Sequence, residues 1–214
     1  MKIRYLGHSC FEITGNNHTT IITDPYTKVG YELPKGLTAN YITVSHGHFD
    51  HAYVSAINGN AKIIQDAQTF SESGIDFKGV KTFHDAQNGK LRGENIVHIF
   101  TVDGITCCHL GDLGEPYLDE LAQKIGKIDV LFIPIGGTYT IDAIQAQKYA
   151  QKLAPKVVIP MHYKPKDGCL DIQDEKEFLG LFDEKSVVRV GCSYDLERSA
   201  FSQEQKIIFM ERVK

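Results

Sequence analysis

Apolar and polar positions change places every few residues along this chain, and the apolar runs are short and rich in β-branched side chains. Residues 2–6, 10–13 and 19–23 form three such runs, with the Gly, Asn and His turn material of 14–18 before the third, which predicts antiparallel strands. A run at 41–44 ends directly at Ser45-His46-Gly47-His48-Phe49-Asp50-His51, so that stretch should lie on the loop leaving a buried strand. Beyond it the pattern predicts a short helix over 52–57, a strand over 62–64, a helix over 67–71 and a strand over 80–83 that delivers His84. Runs at 95–102 and 105–110 meet around Asp103-Gly104, a pair suited to a tight turn with positive φ, and so predict a hairpin that delivers Asp112.

Residues 117–125 read as a helix and 129–135 as a buried strand. An amphipathic helix follows over 141–154, with Ala143, Ala146, Ala150 and Leu153 on one stripe, Thr140 as its N-cap, Asp142 in its first turn and Pro155 closing it. A strand over 156–160 delivers His162, and a helix over 175–182 with strands over 187–190 and 206–212 completes the chain. Strands first, then alternating strand and helix, then strand, point to an α/β (α+β) protein with two sheets in contact and helices outside. The expected architecture is a four-layer αββα sandwich formed as a single domain over 1–214.

Hydrophobic residues at 42% and charged residues at 23% give no disorder signature. The formal charge is 23 − 27 = −4 with the acids and bases mixed along the chain, which argues against nucleic acid as a partner, since phosphate backbones need clustered Lys and Arg. Five cysteines without any CxxC pair read as reduced packing thiols. No run approaches the roughly 20 apolar residues of a membrane span, and the first residues carry no signal-peptide core, so a cytoplasmic location is expected.

The chemistry concentrates in His46, His48, Asp50 and His51, four potential metal ligands within six positions, with Gly47 allowing the tight fold they need. Imidazole with carboxylate is the donor set of zinc, iron and manganese sites. A lone His84, Asp112 or His162 would be read as a loop or core residue, but all three repeat one placement, at the end of an apolar strand.

His46-Gly47-His48-Phe49-Asp50-His51 resembles the HxHxDH signature of the metallo-β-lactamase fold superfamily. The likeness extends through Gly7-His8-Ser9, Thr23-Asp24-Pro25, Phe83-His84-Asp85, the stretch from His109 to Gly114, and Pro160-Met161-His162-Tyr163. The subgroup it resembles contains small, single-domain metal-dependent hydrolases related to the ascorbate-6-phosphate lactonases and, more distantly, to N-acyl-phosphatidylethanolamine phospholipase D. The resemblance implies one metal held by His46, His48 and His84, a second by Asp50, His51 and His162, and Asp112 bridging them. His84 departs from the wider superfamily in preceding the hairpin and lacking the usual glycine-rich stretch after it.

Two divalent ions, zinc first and manganese or iron as alternatives, would let a bridging hydroxide attack an ester, lactone or phosphodiester. Asp50 is expected to orient the nucleophile, and His109 and Tyr163 to assist at the oxyanion. Asp24 and His8 are expected to hydrogen-bond behind the ligands, and the loop of Gly137, Thr138 and Tyr139 to bind a small, anionic substrate through backbone N–H groups. The rival readings are a di-iron redox enzyme and a nuclease on the same fold.

Overall fold

The computed structural model describes residues 1–201 and 204–214. Its first sheet gathers β1 (Lys2–Gly7), β2 (Cys10–Thr14), β3 (Thr20–Thr23), β4 (Tyr41–Thr43) and β5 (Lys62–Ile64). The second takes β6 (Thr69–Glu72), β7 (Ile75–Phe83), β8 (Glu94–Val102), β9 (Ile105–His109), β10 (Val130–Pro134) and β11 (Val157–Met161). Near the C-terminus β12 (Val187–Val190) and β14 (Lys206–Met210) join the second sheet and β13 (Ser193–Asp195) the first. The resulting orders are β13-β1-β2-β3-β4-β5 and β12-β14-β11-β10-β9-β8-β7-β6.

The two-residue period of the strands explains the layers. In the first sheet Ile3, Tyr5, Phe11, Ile13, Ile21 and Tyr41 join the main core shared with the second sheet, whereas Cys10, Ile22 and Ile42 pack in a separate cluster on the opposite face. That opposite face is covered by Tyr26, Val29, Leu37 and Ile57 from loops, with a single 3-10 turn at Val54–Ala56 rather than the expected helix over 52–57. Both faces of the central strands β10 and β11 are buried, as a parallel sheet covered by helices requires.

Helices α1 (Asp119–Ile125), α2 (Ala143–Leu153) and α3 (Lys176–Gly180) are connected to the second sheet, and α2 lies against both β10 and α3. The side chain of Asp142 caps α2 by accepting from the Gln145 amide at 2.8 Å, so the N-cap falls two residues after the expected Thr140. The expected helix over 67–71 is instead strand β6, hairpinned to β7 through Ser73 and Gly74, both at positive φ. The expected hairpin at Asp103-Gly104 is present, also with both residues at positive φ.

The parallel alignment of β9, β10 and β11 points their C-terminal ends the same way, and the segments that follow carry Asp112, Gly137 and His162. Strands β3 and β4 run parallel in the other sheet and end at Thr23 and Thr43, just before Asp24 and Ser45. Ligand sites form beyond the carboxyl ends of parallel strands because helix and loop amides gather there.

Candidate metal centre

Asp24 is fully buried behind the His-rich loop and holds it in place. Its Oδ1 accepts from the Ser45 amide at 2.8 Å, and its Oδ2 accepts from the Ser45 hydroxyl at 2.6 Å and faces His51 Nδ1 at 2.7 Å. The Ser45 hydroxyl proton is thus committed to Asp24, leaving Ser45 Oγ to accept from His46 Nδ1 at 3.0 Å. One carboxylate thereby fixes two imidazoles, His51 directly and His46 through Ser45, with the Nε2 atoms turned forward.

Those Nε2 atoms converge on Asp112, which is itself buried. Its Oδ1 lies 3.1 Å from His51 Nε2, and its Oδ2 lies 3.2 Å from His84 Nε2, 3.1 Å from His162 Nε2 and 3.8 Å from His46 Nε2. His46 Nε2 and His48 Nδ1 face each other at 3.0 Å. The backbone N–H of Asp112 donates to Asn95 Oδ1 at 2.9 Å, while Asn95 Nδ2 donates to Thr82 Oγ1 and the Leu110 carbonyl, tying the loop after β9 back to β7 and β8.

On the other side, Asp50 Oδ2 lies 3.2 Å from His8 Nε2 and 3.8 Å from His51 Nε2. His8 adopts a positive φ of 52° and is gripped by its backbone: its N–H donates to the Tyr31 hydroxyl at 3.0 Å, and its carbonyl accepts from the Tyr5 hydroxyl and the His162 amide. His162 and Asp24 also have positive φ, 51° and 37°. Three non-glycine residues held in the left-handed region around one cluster mark a place where the fold overrides local preference.

Electrostatics follow the packing. Burial and the neighbouring His162 lower His8 to about 4 against the pull of Asp50, and burial with His51 lowers His46 to about 3, so both imidazoles are neutral at pH 7. Burial alone would raise Asp24, but the hydrogen bond and charge of His51 outweigh it and bring the carboxyl to about 2. Burial works against the charge on Asp112 as well; His162 and His51 overcome it and keep this carboxyl well below the usual range. For His51 the carboxylates of Asp112 and Asp24 overcome the lowering effect of burial and carry it well above an ordinary histidine.

The donors fit divalent metal ions. Candidate ligand atoms gather into three groups: His8, Asp50, His51 and His162; His46, His48 and His84; and His46, His51 and Asp112, each within 4.8 Å. His51 Nε2, Asp112 Oδ1 and His162 Nε2 are buried without a hydrogen-bond partner, a costly arrangement for a closed polar cluster. Nitrogen and oxygen ligands about 2.0–2.2 Å from one tetrahedral ion sit roughly 3.3 Å from each other, which is the spacing these atoms keep without hydrogen-bond geometry.

All seven expected ligands come together, and Asp24 and His8 stand behind or beside them. His109 does not join them: its Nε2 meets the Ser9 carbonyl at 2.8 Å and its Nδ1 accepts from the Gly111 amide, so both ring nitrogens are engaged inside the sandwich. Tyr163 is buried against Tyr5 and Phe209 with its hydroxyl hydrogen-bonded to that of Tyr5, which in turn donates to the His8 carbonyl. In the Gly137, Thr138, Tyr139 loop the N–H groups of Gly137 and Tyr139, and of Thr140 beside them, bond to Ile141 and Gly137 carbonyls, which engages two of the three amides expected to meet substrate. Sequence reasoning missed Ser45 and Asn95. Ser45 precedes the first ligand and was visible as a hydroxyl at a strand end, whereas Asn95 lies in β8 with no local signal.

Two sheets meeting at their strand ends around an HxHxDH turn define the metallo-β-lactamase superfamily, and the β-lactamase superfamily domain matches residues 2–162 of this chain. The chain belongs to that superfamily and, within it, to the small metal-dependent hydrolases. It is 32% identical to the UPF0173 metal-dependent hydrolase of Nanoarchaeum equitans (strain Kin4-M) over 92% of this chain and 99% of the relative. A similar relative in Carboxydothermus hydrogenoformans is 30% identical over 76% of this chain and 84% of its own length. Among solved structures, a metallo-β-lactamase superfamily protein from Thermotoga maritima superposes with a TM-score of 0.83 at 38% identity, covering 99% of both chains.

Proposed function

We propose that this hydrolase cleaves an ester, lactone or phosphodiester of a small molecule at a centre of two divalent ions. His46, His48 and His84 would hold one ion, Asp50, His51 and His162 the other, with Asp112 between them. Zinc is the first choice, and the imidazole and carboxylate donors also suit manganese and iron. The observation that carries the reading is Asp112, a buried carboxylate whose two oxygens each face histidine Nε2 atoms at 3.1–3.2 Å.

When bound, such ions supply a water acidified toward neutrality and a Lewis acid for the scissile oxygen. The chain's own residues prepare the rest. Asp24 and Ser45 hold His51 and His46 by their Nδ1 atoms, so that Nε2 of each would face a bound ion. His8, neutral and clamped by Tyr5 and Tyr31, can donate from Nε2 to Asp50 Oδ2 and so fix the carboxylate that orients the attacking water. His46, Gly47, His48 and Phe49 leave the cluster accessible from one side, while His51, His84, Asp112 and His162 close it from beneath.

A cytoplasmic location fits the five free cysteines, and no helix among the described residues is long and apolar enough to cross a membrane. The test is turnover: the purified chain, loaded in turn with zinc, manganese and ferrous iron, is assayed against a panel of esters, lactones and phosphodiesters. Hydrolysis of at least one class, abolished by a chelator and restored by metal, is expected. A fully metal-loaded protein that cleaves none of them would contradict the proposal.

A further inference from the structure

We propose that Arg92 is the specificity-determining residue of this hydrolase, holding a carboxylate or phosphate group of an anionic substrate at the edge of the metal centre. The inference rests on the hydrolytic reading above and adds to it the substrate class and the side chain that selects it.

The loop between β7 and β8 is built around one buried carboxylate. Asp85 accepts backbone N–H groups from Gln87, Gly89, Leu91 and Arg92 at 2.7–3.0 Å, so an acid beside His84 organises the whole turn. The turn closes where the Gly93 carbonyl accepts the His84 amide at 3.0 Å. Arg92 is therefore joined to a proposed ligand through a single residue and a backbone hydrogen bond. A loop anchored in this way presents its side chains in a fixed direction.

The Arg92 guanidinium carbon lies 5.5 Å from the ring centroid of Tyr139, on the loop that follows β10. The pair thus bridges the loop that begins at His84 and the loop that follows β10, both at the ends of second-sheet strands. Arg4, Arg198 and Arg212 pair with Glu12, Asp129 and Asp167, whereas Arg92 and Arg189 have no carboxylate within ion-pair distance among the described residues; Arg189 lies over Phe209 in β12 and β14, and only Arg92 of the two sits on the loop that begins at His84. A guanidinium held over an aromatic face can still donate through its N–H fork, and that fork matches the two oxygens of a carboxylate or phosphate.

The alternative anion holder, the backbone of the Gly137 loop, has already bonded its Gly137, Tyr139 and Thr140 N–H groups internally. What that loop offers is the Tyr139 ring, more than a third exposed, and through it a seat for Arg92. Leu91, 62% exposed and next to Arg92 in the chain, would be available for apolar contact with the body of the same substrate.

The experiment compares two esters of equal length, 4-nitrophenyl butyrate and mono-4-nitrophenyl succinate, on the metal-loaded wild type, Arg92→Ala, Arg92→Lys and Tyr139→Leu. Inorganic phosphate is titrated calorimetrically into each protein in parallel. The succinate-to-butyrate ratio of kcat/KM should fall at least tenfold in Arg92→Ala, partly in Arg92→Lys, which keeps the charge and loses the fork, and partly in Tyr139→Leu. Phosphate affinity should fall with it. An unchanged ratio and unchanged phosphate affinity in Arg92→Ala would overturn the assignment, as would an equal loss on both esters with full phosphate binding. The phosphate titration needs no turnover, so it decides the role of Arg92 even if neither ester is cleaved, an outcome that counts against the ester bond alone. If only the ester ratio moves, the anion recognised is a carboxylate; if only phosphate binding moves, it is a phosphate.

Discussion

His51 Nδ1 sits 2.7 Å from Asp24 Oδ2, and the same oxygen takes the Ser45 hydroxyl at 2.6 Å. Asp24 touches none of the proposed ions, yet it sets the direction of two of their ligands. Replacing it with Ala leaves His51 and His46 free to turn, and metal affinity should fall about 10–100-fold. Competition with a coloured chelator measures this directly. Wild-type affinity in a folded Asp24→Ala protein would remove the orienting role.

Asp85 organises the turn from Ala86 to Arg92 by accepting four backbone N–H groups. In Asp85→Ala those amides lose a charged acceptor, and hydrogen exchange at Gln87, Gly89, Leu91 and Arg92 should accelerate while the β10 and β11 amides stay protected. Uniform acceleration across the chain would mean that Asp85 supports the global fold instead.

Gly114 is a point of contact between the segment bearing Asp112 and the one bearing His84, since a Cβ there would collide with the backbone of His84 and Asp85. Backbone cannot yield as a side-chain tip can, so Gly114→Ala should destabilise by roughly 1–3 kcal/mol, the usual cost of overpacking. Urea denaturation reads the stability, and metal content reads the displacement of the two ligands. Unchanged values of both would show that the segments separate freely.

Much of the candidate site was legible because its expected ligands stand at strand ends: His46 and His48 after the run ending at Val44, His84 after Phe83, and His162 after Met161. The residues that failed to follow the reading did so for tertiary reasons. His109 shares strand parity with Cys107 as expected, but there its Nε2 meets the Ser9 carbonyl in the turn between β1 and β2, so parity alone did not bring it to the site. Residues 67–71 offered too few positions to separate helical from strand periodicity, and Ser73-Gly74 was the stronger signal, a turn closing a hairpin. Arg92 gave no sign in sequence, because its partner Tyr139 lies 47 positions away on another loop (139 − 92).

Cys10, Cys107 and Cys108 are buried free thiols, whereas Cys169 and Cys192 are exposed. Burial pushes the Cys107 and Cys108 thiols far up, with Asp129 adding to the effect at Cys107, so neither forms the reactive thiolate near neutral pH. A thiol-reactive dye should label two of the five cysteines rapidly in native protein and all five in denaturant. Three or more rapid native labels would mean that the sheets open more readily than their packing implies.

Metal stoichiometry tests the central claim most directly. Elemental analysis of the wild type after reconstitution should give about two divalent ions per chain, and Asp112→Ala should lose at least one of them while remaining folded by circular dichroism. A wild type that binds none, or an Asp112→Ala protein that keeps both, would contradict the account.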